Sequence, residues 1–94
     1  MIWAILYHPK VKEDLEGVGP SAARRIVRAI DSKLTKAPLQ FGSQLSANLA
    51  EFRKLRVGDH RVVYQVKESE VFIYVLAVGP RRDNEIYKAA IKRK

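Results

Sequence analysis

The sequence predicts an α+β fold in which helices pack on one antiparallel β-sheet, with elements in the order β-α-α-β-β-β-α. Two observations support this prediction. Three short runs rich in β-branched and aromatic residues follow one another in the second half, separated only by polar turns, which is typical of an antiparallel meander. Apolar residues at helical spacing are confined to the first half and the C-terminal end. A chain of 94 residues has room for one core, so a single domain is predicted over residues 1–94.

The first strand is predicted over residues 2–7, a β-branched and aromatic run that ends at His8 and Pro9. Both of its faces are apolar, so we expect it at the centre of the sheet or covered on both sides. Pro9 suits the first turn of a helix, where its missing N–H is not needed. Two helical turns are therefore predicted over residues 10–16, and the glycines and proline at 17–20 end them.

The clearest helix is predicted over residues 21–36, because apolar side chains recur there at i, i+3, i+4 and i+7 spacing. That stripe consists of Ala23, Ile26, Val27, Ile30 and Leu34. The arginines of this helix lie mostly off the stripe. Two interpretations of them remain: a helix face exposed to solvent, or a contact with nucleic acid. Residues 37–50 are predicted to be a long connection that its own apolar residues tether to the core. Those residues are Phe41, Leu45 and Leu49.

A β-hairpin is predicted over residues 51–66, with its turn at Gly58 and Asp59. Alternate side chains of a strand point to opposite faces, so each strand sorts its residues into two sets. In the first strand, Lys54 and Arg56 share one face, and Arg53, Leu55 and Val57 share the other. In the second strand, Val62, Tyr64 and Val66 form an apolar face opposite Arg61. The hairpin therefore has one apolar and one cationic face.

A third strand of the meander is predicted over residues 71–78, which are apolar throughout and so belong in the middle of the sheet. Gly79 and Pro80 end this strand. A last helix follows, with Asp83 as its N-cap and a short apolar stripe that includes Ile86 and Ala90.

The charge of the chain points to an acidic partner. Lys and Arg number 18 against 10 Asp and Glu, a net charge of +8, which favours nucleic acid, an acidic membrane surface or an acidic protein. The absence of Cys excludes disulfides and thiol catalysis, and two histidines offer no metal site, so neither metal nor cofactor is predicted. The N-terminal run is too short for a signal peptide or a membrane span. We therefore expect a cytoplasmic protein without a membrane segment.

Four residues of the second half could converge on one phosphate. Lys54 and Arg61 lie on paired strands, Arg81 follows the third strand, and Tyr87 lies on the last helix. RNA cleavage by the 2′-hydroxyl needs a proton acceptor, charge stabilisation at the phosphate and a proton for the leaving oxygen. Guanidinium groups match phosphate oxygens, a lysine among arginines loses its proton more readily, and a tyrosine can stack on a base. From the residues alone, phosphate binding without chemistry is favoured over cleavage.

The same residues resemble the RelE toxins of type II toxin–antitoxin systems, within the wider group of RelE- and ParE-type folds. The resemblance covers most of the chain and is densest over residues 53–66 and 75–87. It implies helices packed on an antiparallel sheet, a metal-independent endoribonuclease that cuts mRNA in the ribosomal A site, and inhibition by a cognate antitoxin. The partners it implies are that antitoxin, the ribosome and mRNA.

The resemblance also assigns roles to individual residues. Lys54 matches a lysine that resembles the general base, and Arg61 matches an arginine that stabilises the phosphate. Arg81 matches an arginine that protonates the leaving group or stabilises its charge, and Tyr87 matches a tyrosine that orients the mRNA. The further RNA-binding candidates are Arg53, Arg56 and Arg82.

One departure from the family pattern is Phe52, which stands where the pattern often has a second lysine. It predicts a weakened nuclease and motivates the first alternative, a ParE-like toxin that inhibits DNA gyrase without cutting RNA. The RelE interpretation is favoured, because the chain has the residues of the RelE pattern, Lys54, Arg61, Arg81 and Tyr87. The second alternative is a non-catalytic RNA- or ribosome-binding module, for which the net charge alone is the reason.

Overall fold

The structure, a computed structural model, describes residues 2–45, 49–80 and 85–94. A five-stranded sheet in the order β1-β5-β4-β3-β2 runs through it. The strands are β1 (Ala4–Tyr7), β2 (Ser43–Gln44), β3 (Arg53–Val57), β4 (His60–Lys67) and β5 (Phe72–Pro80). The helices are α1 (Val11–Val18), α2 (Pro20–Ala29), α3 (Pro38–Phe41) and α4 (Glu85–Arg93), and a π-helical segment (Ile30–Leu34) continues α2. The predicted α+β class and the meander of β3, β4 and β5 are confirmed.

The position of β1 differs from the prediction. It forms the edge of the sheet and pairs parallel to β5, from Ala4 opposite Phe72 to Tyr7 opposite Val75, so the expectation of a central or doubly covered first strand is wrong. One face packs on the core through its partly buried apolar residues, whereas Leu6 on the other face is 53% exposed. The reason is that α4, the helix on that face, packs mainly over β5 and β4.

Each face of the sheet carries its own apolar cluster. The first cluster lies under α1, α2 and the π-helical segment, and it takes residues of the central strands that point to that face. Its buried members are Val11, Ile26, Ile30, Leu34, Leu55, Val62, Tyr64, Ile73, Val75 and Val78. The second cluster lies under α4 and consists of Phe52, Val63, Leu76, Ala77, Ile86 and Ala90. The period-2 alternation predicted for the hairpin is therefore confirmed on both strands.

A β-bulge between β4 and β5 turns two consecutive residues of β5 toward the face that α4 covers. Val63 pairs with Ala77, but Tyr64 pairs with Val75, so Leu76 has no partner in the β4 register. A bulge places an extra residue in one strand and turns neighbouring side chains to the same face. Leu76 and Ala77 consequently both belong to the second cluster, where they form the floor on which α4 rests.

The connection predicted over residues 37–50 contains regular structure that the sequence analysis missed. Pro38 begins α3, and β2 adds two residues to the edge of β3. Leu45 and Leu49 pack against the second cluster as predicted, whereas Phe41 is half exposed beneath the ammonium of Lys33. In the described ranges, no helix is long and apolar enough to cross a membrane.

The two N-terminal helices meet at a glycine in a backbone conformation that other residues rarely adopt. Gly19 has a φ of 93° and separates α1 from α2, so α1 runs through Gly17 to Val18 rather than ending at residue 16. Pro20 then occupies the first turn of α2, where a proline needs no N–H partner. The chain thus reverses between two helices that both cover the first cluster.

Candidate active site

Strands β3 and β4 present cationic side chains on the face of the sheet that α4 covers in part. Lys54 pairs with Val63, a member of the second cluster, and Arg56 pairs with Arg61. Directly paired residues of antiparallel strands point to the same face, so all three cations lie on that face. Lys54 and Arg61 are half-buried and Arg56 is exposed. The sheet therefore brings together the lysine and the arginine that the sequence analysis placed there.

The tight turn between the strands sets this register. Gly58 has a φ of 58°, which a glycine adopts without the steric cost that a Cβ imposes. The turn leaves Arg56 directly opposite Arg61. Like charges in directly opposed positions destabilise a sheet, and an anion held between the two guanidinium groups relieves that repulsion. This pair is accordingly suited to a phosphate.

Helix α4 adds Tyr87 to the same place. The Arg61 side chain donates a short hydrogen bond from Nη1 to the hydroxyl oxygen of Tyr87, across 26 positions of sequence. Ile86 and Ala90 hold the helix on the second cluster, and Tyr87 is half-buried beside them. The hydrogen bond uses one of the five donor N–H groups of the guanidinium, so the others remain to meet phosphate oxygens.

Arg53 does not join this group. It lies on the opposite face, where its Nη2 donates to the carbonyl oxygens of Leu39 at 3.0 Å and Gly42 at 2.6 Å. Its neighbour Tyr64 is fully buried and donates to the Pro38 carbonyl at 2.8 Å. Burial raises the pKa of Tyr64, and the hydrogen bond and charge of Arg53 oppose that rise. Arg53 thus tethers the α3 segment to the sheet, and an RNA contact for it stays a prediction.

Three predicted features of the site fall outside the described residues: Arg81, Arg82 and the N-cap Asp83. The last described residues of β5 do border the site, because Gly79 is paired with Arg61 in the β4–β5 ladder. The roles assigned to Arg81 and Arg82 stay predictions.

Phe52, the residue that departs from the family pattern, belongs to the core. It shares the face of Lys54 two positions along the chain, but only 1% of it is exposed and it packs in the second cluster. The ammonium of Lys94 lies 5.8 Å from the centre of its ring. A side chain in this position supports α4 from below and does not reach the open surface between Lys54 and Arg61.

Sequence reasoning missed an ion pair that anchors the far end of α4. Arg93 Nη1 lies 2.6 Å from Asp14 Oδ2, and Arg93 Nη2 lies 3.2 Å from Asp14 Oδ1. The two residues are 79 positions apart, so no local spacing or periodicity relates them. Only the packing of α1 and α4 around β5 brings them together.

A sequence profile described as the ParE toxin of type II toxin–antitoxin systems, parDE, matches residues 5–85. The chain belongs to this family. That membership confirms the predicted resemblance to toxins of the RelE and ParE type. The matched region contains Lys54 and Arg61 and ends two residues before Tyr87.

Two curated relatives carry RelE names. The mRNA interferase toxin RelE of Escherichia coli K12 and the mRNA interferase RelE of Shigella flexneri are each 45% identical to this chain over 40 residues. That match covers 43% of this chain and 42% of each relative. The chain thus spans about two fifths of the length of the curated relatives it matches.

Solved structures share the fold. The toxin–antitoxin complex RelBE2 from Mycobacterium tuberculosis has a chain that aligns with a TM-score of 0.81 at 23% identity, over 88% of this chain and 95% of that one. A mutant E. coli toxin RelE in the free state aligns with a TM-score of 0.79 at 22% identity, over 99% and 98% of the two chains. A RelE–RelB complex from Pyrococcus horikoshii gives 0.67 at 24% identity, over 86% and 97%.

Proposed function

We propose that this member of the toxin family is an endoribonuclease that cuts mRNA in the ribosomal A site. The observation that carries the proposal is the hydrogen bond from Arg61 to Tyr87, on the same face as Lys54. It connects β4 with α4, which are distant in sequence, and so places the ring of Tyr87 beside the cationic residues of the sheet. Relatives that match part of the chain are named mRNA interferases, which supports RNA as the substrate.

In the proposed reaction, the 2′-oxygen of one nucleotide attacks the adjacent phosphorus and the bond from phosphorus to the 5′-oxygen breaks. Lys54 accepts the proton of the 2′-hydroxyl, and Arg61 stabilises the negative charge that grows on the phosphate oxygens. Arg81 protonates the leaving 5′-oxygen or stabilises its charge. Tyr87, whose hydroxyl is held by Arg61, stacks on or orients the base next to the cut.

The surroundings of the site favour a ribosome-bound substrate. Lys54 and Arg61 are half-buried on a sheet face that α4 covers only in part, and Arg56 beside them is exposed, so the described part of the site offers charge but little enclosure. A ribosome that presents the mRNA in a fixed conformation supplies the orientation that an open site lacks. The proposal places the protein in the cytoplasm, with the ribosome and mRNA as its targets and an acidic antitoxin as its inhibitor, in keeping with its net charge of +8.

The test uses purified protein and ribosomes programmed with a defined mRNA, and maps the new 5′ ends by primer extension. We expect cuts confined to the A-site codon. Lys54→Ala and Arg61→Ala are each expected to slow cutting about 10²- to 10⁴-fold, the range for loss of a proton-transfer or charge-stabilising group. Lys36→Ala is the matched control, because it removes an exposed lysine from the helical layer on the other side of the sheet.

Absence of A-site cuts with the protein in excess over ribosomes contradicts the proposal. So does a Lys36→Ala variant that loses as much activity as Lys54→Ala, because the effect would then follow net charge and not the site. Circular dichroism of each variant shows whether the fold is retained.

A second candidate is inhibition of DNA gyrase, which the ParE description of the matching family favours. The same preparations decide between the two. Inhibition of gyrase-catalysed supercoiling without A-site cuts would support the second candidate, and A-site cuts without an effect on supercoiling would support the first.

A further inference from the structure

The edge of β5 that faces away from β4 is covered by strand β1 in its first half and by two side chains in its second half. Over its first half, β1 pairs with it, and the last contact of this ladder is the bond from the His8 amide to the Val75 carbonyl, at 2.8 Å. Beyond that point, two side chains take the place of a strand. Asp14 Oδ2 accepts from the Val78 amide at 3.1 Å, and Arg93 Nη1 donates to the Leu76 carbonyl at 2.9 Å.

The same two side chains bind each other. Arg93 and Asp14 meet through two contacts, at 2.6 and 3.2 Å, in the forked geometry that guanidinium and carboxylate groups favour. Their side chains are only 14% and 17% exposed. The pair therefore links three elements. Asp14 belongs to α1, Arg93 belongs to α4, and both side chains bond the edge of β5 that β1 leaves unpaired.

Helix α4 depends on such a tie. Its described part, Glu85–Arg93, has nine residues, and a helix of about this length is marginal in water without tertiary contacts. Its buried residues are Ile86 and Ala90, and Ala90 contributes little apolar area. Arg93 is six residues beyond Tyr87, about 9 Å along the helix axis. A contact at Arg93 therefore fixes the end of the helix that the apolar residues hold least.

We propose that Asp14 and Arg93 are positioning residues, which hold α4 on the sheet and thereby keep the Tyr87 hydroxyl against Arg61. The effect on cleavage rests on the proposed function, whereas the effect on Tyr87 does not. Without the pair, the C-terminal half of α4 separates from β5, and Tyr87 loses its hydrogen bond from Arg61 while the two central strands stay folded.

A second ion pair at the same end of α4 provides the matched control. Lys94 Nζ lies 2.5 Å from Glu51 Oε1, but these side chains are 47% and 45% exposed. Exposed pairs contribute little to stability, because water and salt screen them and their side chains lose freedom on pairing. Glu51→Gln is therefore expected to leave both Tyr87 and α4 unchanged.

The first measurement follows Tyr87 by NMR in protein labelled with ¹³C-tyrosine, and Tyr87→Phe identifies its signal among the four tyrosines. In Arg93→Met we expect the Tyr87 ring signals to shift and the α4 amides to exchange with solvent about tenfold faster or more, since a partly buried charge loses its partner. The amides through which β4 and β5 bond each other are expected to exchange as in wild type. Arg93→Lys, which keeps the charge but has a single donor nitrogen, should show smaller changes in both measurements than Arg93→Met.

The second measurement is A-site cleavage in a double-mutant cycle. Arg93→Met is expected to slow cleavage about tenfold in the wild-type background and much less in Tyr87→Phe, because coupled residues are not additive. Equal losses in both backgrounds would overturn a positioning role. Unchanged Tyr87 signals, or amide exchange that rises equally throughout the chain, would also overturn it. Wild-type protein that cuts no mRNA counts against the proposed function alone, since NMR and exchange still decide the role of the pair.

Discussion

Replacing Phe52 with lysine tests whether the departure from the family pattern limits activity or supports the fold. If the missing lysine limits the nuclease, Phe52→Lys should cut mRNA faster than wild type. The structure predicts the opposite, because Phe52 is 1% exposed within the second cluster and Lys94 already places an ammonium 5.8 Å from its ring centre. The new ammonium would have to enter an apolar cluster or displace α4 to reach water.

The expected cost is a large part of the total stability. Loss of a buried phenylalanine costs about 3–5 kcal/mol, and an unpaired buried charge adds to it. A chain of 94 residues is stable by about 5–14 kcal/mol at the usual range per residue. We therefore expect Phe52→Lys to lower the free energy of unfolding by about 3 kcal/mol or more, and to lower cleavage with it because α4 carries Tyr87.

Urea unfolding, followed by circular dichroism, measures the effect. With slopes of about 1–3 kcal/mol per molar urea, a loss of that size moves the midpoint by about 1 M or more. Phe52→Leu is the control, since it keeps the site apolar and should cost about 1 kcal/mol. A Phe52→Lys protein that keeps the wild-type midpoint and cuts A-site codons faster than wild type would refute this reasoning.

Three further predictions concern the opposite face and the rim of the site. In Gly42→Ala the new methyl carbon would lie 1.8 Å from the buried Tyr64 hydroxyl oxygen, so we expect a loss of about 1–3 kcal/mol in urea unfolding. Gly17→Ala should be neutral or stabilising, because its new methyl carbon would have no atom within 4 Å beyond its chain neighbours and the backbone of its own helix. Burial raises the pKa of Tyr64, so its neutral form is favoured in the fold; as pH rises past about 10 the unfolded chain loses this proton first and stability falls. The stability difference between wild type and Tyr64→Phe should therefore shrink as the pH rises above about 10, and a constant or growing difference would contradict the assignment. Arg56→Gln should lower the salt dependence of ribosome binding by about one counterion with the fold intact. Arg53→Gln should lower stability by about 1–3 kcal/mol, because its carbonyl bonds are lost, and a fall in the salt dependence of its ribosome binding would support the RNA contact predicted for it.

Local periodicity was enough to predict the hairpin and the face on which Lys54 and Arg61 lie. The alternation of side chains along a strand depends only on backbone geometry, and the turn at Gly58 fixes the pairing of strands next to each other in sequence. For the same reason the meander and the α+β class could be predicted without a structure. Family resemblance in these segments then supplied the roles predicted for the residues.

The errors occurred where the environment of an element depends on distant parts of the chain. An apolar run such as β1 has the same sequence character at the centre and at the edge of a sheet, and its position follows from its pairing with β5, which lies more than sixty residues away. The short α3 and β2 were missed because their stability comes from the hydrogen bonds of Arg53 and Tyr64 to the α3 segment and from pairing with β3.

By itself, the sequence determined the fold class, the cationic face of the hairpin and the candidates Lys54, Arg61 and Tyr87. Tertiary structure alone decided the partners and the burial of these side chains. It brought Arg61 to Tyr87 and Arg53 to the carbonyls of the α3 segment. It also buried Phe52 and paired Asp14 with Arg93. The physical reason is that strand and helix periods encode which face a residue occupies, whereas the burial and hydrogen-bond partners of that face are set by elements that packing brings together from distant positions.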